Sequence, residues 1–185
     1  VPVDAVTAEQ RKQAKQANFG IIYGITTYGL AQRMNIDNRE ARQLIDDYFA
    51  TFPKVQAYME QAKETCRAKG YAETLFHRRR YLPDILSANA TVRGFAERNA
   101  INAPIQGSEA DIIKVAMIRI HQRFQREGIR SKMILQVHDE LNFSVYPEEK
   151  EQVERIVIEE MQQAYPLSVP LTADAGWGNN WLEAH

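Results

Sequence analysis

Arg11, Lys15, Phe19 and Tyr23 stand four residues apart. On a helix, steps of four advance about 40° beyond a full turn, so these side chains would form a gently wound stripe ~18 Å long. Two cations come first and two aromatics second. A helix N-terminus carries partial positive charge, which would add to Arg11 and Lys15 in attracting phosphates. The ligand suited to such a stripe is an elongated anion with a flat apolar end, a description that a nucleoside triphosphate meets. Spacing alone leaves a simpler reading open, with Phe19 and Tyr23 in a core and the two cations solvated. Gly20 and Gly24 fall inside the same segment. Each would cost a helix about 1 kcal/mol relative to Ala, which points to something approaching the backbone there.

A second group lies far along the chain, at Gln136-Val137-His138-Asp139-Glu140. Successive side chains of a strand point to opposite faces, so the tip of a hairpin, not its strands, has to present Asp139 and Glu140 together. Two carboxylates within ~4 Å repel by about 1–4 kcal/mol, depending on the effective dielectric. A divalent cation would relieve that repulsion, and Mg²⁺ takes oxygen ligands, usually one or two carboxylates together with substrate phosphates. As a bare pattern, an acidic hairpin turn reads first as a solvated turn.

The elements that must position these groups follow from local signals. Thr7 and Gln10 form a capping-box pair, so a helix should start near Ala8 and carry the stripe to about Gly24. A short helix is predicted over 26–35, and Asp37 with Glu40 opens a longer one to about Phe52. Pro53 suits the first turn of the next helix, which should stop at Gly70. Extended pieces are expected over 71–76 and 81–82, around Arg78-Arg79-Arg80. Helix resumes over 87–101, a break is predicted at Pro104 and Gly107, and another helix runs over 108–127. Strands are expected over 131–137 and 141–146, a helix over 147–164, and a last strand over 169–175 before a turn-rich end.

Composition sets the outer bounds. The 185 residues are 44% hydrophobic and 25% charged, the mix of an ordinary globular chain able to bury a core without metal or disulfide staples. The single cysteine, Cys66, excludes an intramolecular disulfide framework. No apolar run approaches a membrane span and no signal peptide is visible, so a cytoplasmic chain is expected. The net charge of −1 hides an asymmetry, with 21 Lys and Arg against 14 Asp and Glu up to His138, and 2 against 10 after it. The basic part could face a polyanion, or both parts could be solvated faces. The chain begins with Val1, not Met, which suggests a piece of something longer.

The stretch from Arg11 to Gly24 closely resembles the motif R-x-x-x-K-x-x-x-F-G-x-x-Y-G of family A DNA polymerases, the bacterial DNA polymerase I type. Arg79-Arg80-Tyr81-Leu82-Pro83-Asp84 resembles the family's R-R-x-L-P-D segment, with His77 where members usually carry Gly. The run from Glu97 to Gly107 resembles the stretch that lies against the primer–template duplex. Gln136 to Glu140 matches the family's other catalytic motif, and Ala184-His185 its usual end.

The resemblance implies an α+β fold: helix-rich fingers plus part of a palm with a small antiparallel sheet. It implies fingers over 1–70, a connection with a basic run and a DNA-contacting helix over 71–104, and the C-terminal part of the palm over 105–185. Arg11 and Lys15 would meet the triphosphate of a deoxynucleotide, with Lys15 counted among the catalytic groups. Phe19 would lie by the sugar and Tyr23 near the templating position. Gly24, Arg79, Arg98, Asn102, Gln106 and His138 would contact primer–template DNA, with His138 at the primer terminus. Asp139 would be a metal ligand and Glu140 a supporting carboxylate, in a two-metal phosphoryl transfer with Mg²⁺.

The family's first carboxylate lies upstream in a pattern like D-Y-S-x-x-E. Asp47-Tyr48 matches it only superficially, because Phe49-Ala50-Thr51 follows and the local period is helical. The chain is therefore expected to be a fragment, inactive alone, with an open sheet edge that could drive self-association. Two rival readings stay in view: a non-catalytic nucleic-acid-binding module, and a generic α/β interaction domain.

Overall fold

The computed structural model describes residues 2–184. Val1 and His185, including the expected match at the C-terminal residue, lie outside the described residues. The fold is helix-rich with two small antiparallel sheets, as expected of the α+β class. One compact unit ends at Ile105 and a second begins at Gln106.

In the first unit, α1 (Ala8–Ile22) opens with the expected capping box: the Gln10 N–H donates to Thr7 Oγ1 at 3.2 Å, and the Thr7 N–H donates to Gln10 Oε1 at 3.0 Å. Helix α2 (Thr27–Met34) is capped by Thr26, and α3 (Asn38–Thr51) by Asp37, whose carboxylate accepts from the Glu40 N–H at 2.8 Å. Pro53 begins α4 (Pro53–Lys69), and Gly70, at φ +79°, ends it. Ile21, Leu30, Ala31 and Ala41 form one buried cluster, walled by Ile25, Ile45, Tyr48 and Phe49. A second joins Cys66, Ala72, Leu82, Ile85, Ala96 and Ala100. Cys66 is fully buried, and burial pushes its thiol up, so it is an inert core residue.

Strands β1 (Tyr71–Glu73) and β2 (Arg79–Tyr81) pair antiparallel, with Tyr71 opposite Tyr81 and Glu73 opposite Arg79. The sequence pattern put the arginine run between two extended pieces; two of its members instead lie in β2. Pairing with Glu73 and Ala72 draws them into the ladder.

Helix α5 (Ala90–Glu127) contradicts the predicted break, since it continues through Pro104, Gly107 and Ser108. Pro removes one helical N–H and crowds the preceding turn, at a cost of about 3 kcal/mol. Burial on both sides offsets this: Ala100, Ile101 and Ala103 precede the proline, and Ser108, Ile113 and Ala116 follow it, all buried.

The second unit packs Ile120 and Phe124 of α5 against Val153 and Ile156 of α6 (Lys150–Gln162), with Met133, Leu141 and Phe143 closing the cluster. Arg123 reinforces this packing through Glu127 at 2.8 Å, Glu159 at 2.7 Å and Glu160 at 3.1 Å. Strands β3 (Lys132–Val137) and β4 (Glu140–Ser144) form an antiparallel hairpin with an irregularity between Met133 and Leu135. The strand predicted over 169–175 does not form. A strand exists only with a ladder partner, and among the described residues both sheets are two-stranded without it. Val169 is 71% exposed accordingly. The chain ends in a short helix, α7 (Trp181–Ala184), where only turns were expected.

Candidate nucleic-acid and nucleotide interface

The stripe on α1 is on the surface. Arg11 and Lys15 are exposed, as are Phe19 at 46% and Tyr23 at 39%. The core reading of the two aromatics is therefore excluded; Ile21, between them in sequence, is the residue that enters the core. The Phe19 and Tyr23 rings lie nearly parallel, 15° apart, with centroids separated by 6.2 Å. The pair thus presents exposed aromatic surface against which a flat apolar group can pack. Arg11 and Lys15 line a groove of about 700 Å³ with Asn18, Asp47, Tyr48 and Phe52. Asp47 lies on α3, where it accepts from Gln43 Nε2 at 2.7 Å, so its resemblance to an upstream strand motif is indeed superficial.

Gly20 in α1 and Gly24 just beyond it are explained within the chain. After the last turn, the Gly24 N–H donates to the Ile21 carbonyl and the Ile25 N–H donates to the Gly20 carbonyl, both at 2.9 Å. That pair of bonds is a Schellman ending, which needs a left-handed residue next to the cap. Gly24 supplies it at φ +74°, and a Cβ there would lie 3.2 Å from Arg98 Cγ. Ile25 folds back over Gly20, where a Cβ would meet its side chain at 3.4 Å.

Arg98 and Arg33 share a groove of about 340 Å³ with Tyr23, Gly24 and Thr26. Arg33 was not singled out in the sequence; it lies on no motif stripe, and only the packing of α2 against α1 brings it here. Asn102 follows Arg98 by one helical step on α5, and its Oδ1 is buried without a hydrogen-bond partner. Gln106 is exposed one step further along the same helix.

Arg79 is occupied within its own hairpin. Its Nε donates to Glu73 Oε2 at 3.2 Å and its guanidinium stacks on Tyr71 at 4.6 Å. His77 adopts a left-handed backbone at φ +62°. Its Nδ1 is 2.8 Å from Glu73 Oε1. Hydrogen bonds from His77 and then Arg79 hold the Glu73 carboxyl below its ordinary range.

In the second unit, His138 and Asp139 form the turn between β3 and β4, and Val137 pairs with Glu140. His138 sits at φ +53°, an uncommon conformation for a residue with a Cβ. The Gln136 amide steadies it by donating to the His138 carbonyl at 2.7 Å. Glu140 is thus the first residue of β4 and not part of the turn, while Asp139 is exposed in it. Glu140 Oε1 accepts from Trp181 Nε1 at 2.7 Å, a contact no sequence signal announced.

Among the described residues no three or more His, Cys, Asp or Glu gather as a metal cage. Neighbouring carboxylates are the oxygen donors Mg²⁺ takes, and it commonly uses one or two of them with substrate phosphates. The donor set of Asp139 and Glu140 therefore fits a shared site and not a closed one.

The two candidate sites are thus an exposed cation–aromatic stripe on α1 and, in the second unit, an acidic pair in which Asp139 is exposed in the hairpin turn and Glu140 begins β4. The model for DNA polymerase family A matches residues 1–183, and the chain belongs to that family. It is 52% identical over 184 residues to DNA polymerase I of Bacillus caldotenax, and 49% identical over 181 residues to DNA polymerase I of Streptococcus pneumoniae. It spans about a fifth of the length of these relatives: 100% and 98% of the chain align, against 21% of each polymerase. The solved POL domain of Pol1 from M. smegmatis, in complex with DNA primer-template and dNTP, matches with a TM-score of 0.97 and 47% identity. That match covers all of this chain and 32% of the solved one. No helix among the described residues is long and apolar enough to cross a membrane.

Proposed function

We propose that this chain is the nucleotide-selecting and part of the metal-holding portion of a template-directed DNA polymerase acting in replication or repair. The observation that carries this reading is the exposed stripe on α1, with Arg11 and Lys15 leading into the exposed, stacked Phe19–Tyr23 pair. A core role for the rings would have buried them. In this reading residues 1–70 are fingers, 71–104 connect them, and 105–185 are the C-terminal part of the palm.

The first unit binds. Arg11 and Lys15 neutralise the triphosphate of an incoming deoxynucleotide, Phe19 supports its sugar, and Tyr23 borders the templating position. Arg98, held against Gly24, and Asn102, with an acceptor lacking a partner, meet the primer–template; Gln106 extends that contact. Arg79 acts through its hairpin, because Glu73 already takes its Nε.

The second unit contributes Asp139 as metal ligand, Glu140 as its support and His138 beside the primer terminus. Mg²⁺, when bound, would supply charge neutralisation for phosphoryl transfer. Asp139 and Glu140 are too few to complete a two-metal site, so the 185-residue chain alone is inactive. Lys15→Ala, in a chain extended upstream to the length of its relatives, should raise the dNTP KM and lower kcat, together costing ~100-fold or more in kcat/KM. Primer extension unchanged by Lys15→Ala would refute the assignment of the stripe.

A further inference from the structure

The tail over 176–184 is folded on itself by two glycines and an acid. A Cβ on Gly176 would fall 1.9 Å from the Ala184 carbonyl oxygen, and one on Gly178 would fall 2.5 Å from Glu183 Cβ. Neither position admits a larger residue unless the turn opens. The Glu183 carboxylate accepts from the Asn179 N–H at 3.0 Å, Asn179 Nδ2 at 3.1 Å and Asn180 Nδ2 at 2.7 Å. Asn180 Oδ1 accepts in return from the Glu183 N–H at 3.1 Å. This reciprocal pair caps α7 at its first turn.

Trp181 opens that helix, and its indole points back to the hairpin, 2.7 Å from Glu140 Oε1. A second indole pins the tail to α6: Trp177 Nε1 donates to Glu154 at 2.7 Å, and Lys150 Nζ lies 4.6 Å from the ring centroid. Trp181 is 49% exposed and belongs to none of the buried clusters. Its indole N–H is the directed contact it makes with the hairpin.

We propose that Trp181 is a positioning residue, fixing the carboxylate of Glu140 next to Asp139 through its indole N–H. The inference rests on the polymerase reading above. A glutamate side chain has several free torsions, and one directional bond at its end removes much of that freedom. An indole is the suitable donor because it is neutral. Arg or Lys at the same place would orient the carboxylate and also cancel the negative charge that a divalent cation needs.

The test has a kinetic and a spectroscopic arm. In a chain extended upstream to the length of its relatives, Trp181→Phe should lower kcat about tenfold at unchanged dNTP KM, the scale of one lost hydrogen bond to a charged group. In a Glu140→Ala background the same substitution should cost nothing further, because the pair acts as one unit. Losses that add would overturn the proposal and leave Trp181 a structural residue.

The second arm uses the 185-residue chain with Trp177→Phe. The sequence holds two tryptophans, so Trp181 is then the sole indole. Glu140→Ala should shift its emission maximum, while Glu140→Gln, whose amide oxygen still accepts, should keep it. Emission indifferent to Glu140→Ala would overturn the proposal. An extended wild type that makes no DNA would overturn the polymerase reading instead, and the emission arm would still decide the contact.

Discussion

Two glycines only four residues apart, Gly20 inside α1 and Gly24 just past its end, should respond to alanine with opposite signs. At Gly24 the backbone sits at φ +74°, where a Cβ costs about 1–2 kcal/mol. The added methyl would also meet Arg98 Cγ at 3.2 Å and push that side chain by a few tenths of an ångström. Alanine returns roughly 0.4–1 kcal/mol by restricting the unfolded chain. The balance is a loss of about 1 kcal/mol. At Gly20 the backbone is helical and the new Cβ meets Ile25 at 3.4 Å, the edge of ordinary contact. There the helix preference of Ala over Gly, about 1 kcal/mol, is largely kept. Urea unfolding followed by far-UV circular dichroism should place the two variants about 2 kcal/mol apart, Gly20→Ala above wild type and Gly24→Ala below it. Gly24→Ala should in addition weaken primer–template binding through Arg98, and Gly20→Ala should not. A Gly24→Ala chain as stable as wild type, or a larger loss at Gly20, would refute this reasoning.

Two further perturbations probe the second unit. Hydrogen bonds from the Ser131 hydroxyl and then the Arg130 N–H hold the Glu149 carboxyl down at about 2. A depressed carboxyl contributes stability that is fully present above its ordinary value near 4.5 and fades as pH falls toward about 2. The urea midpoint of wild type should thus exceed that of Glu149→Gln by a constant margin near neutrality, and the gap should narrow below about pH 4.5; a gap that widens in acid would contradict the assignment. Ile120 is fully buried between Phe124 and Ile156, so Ile120→Ala should cost about 2–5 kcal/mol in the same assay. A loss under ~1 kcal/mol would show that the site collapses around the missing atoms.

Where local chemistry decides, the chain could be read directly. Thr7 with Gln10 and Asp37 with Glu40 mark helix starts through bonds that span a single turn, while Pro53 and Gly70 mark the two ends of α4 through their backbone geometry, and each marks a real boundary. The motif stripe on α1 was equally legible, although only its exposure decided between surface and core. The misreadings come from tertiary terms. Pro104 and Gly107 are local breakers, yet α5 passes through them because flanking residues are buried, which local propensity cannot register. Residues 169–175 carry strand-like alternation, but pairing depends on a partner elsewhere. Arg33 and Trp181 carry no motif at all. Arg33 joins the groove beside Gly24 through helix packing, and Trp181 meets Glu140, 41 residues away in sequence, through a folded tail.

The most direct test of the central claim is primer extension with Mg²⁺ and all four deoxynucleotides, comparing the 185-residue chain with one extended upstream to the length of its relatives. Template-dependent synthesis is expected from the longer chain alone, abolished by Asp139→Ala. Synthesis by the 185 residues alone, or a longer chain indifferent to Asp139→Ala, would contradict it.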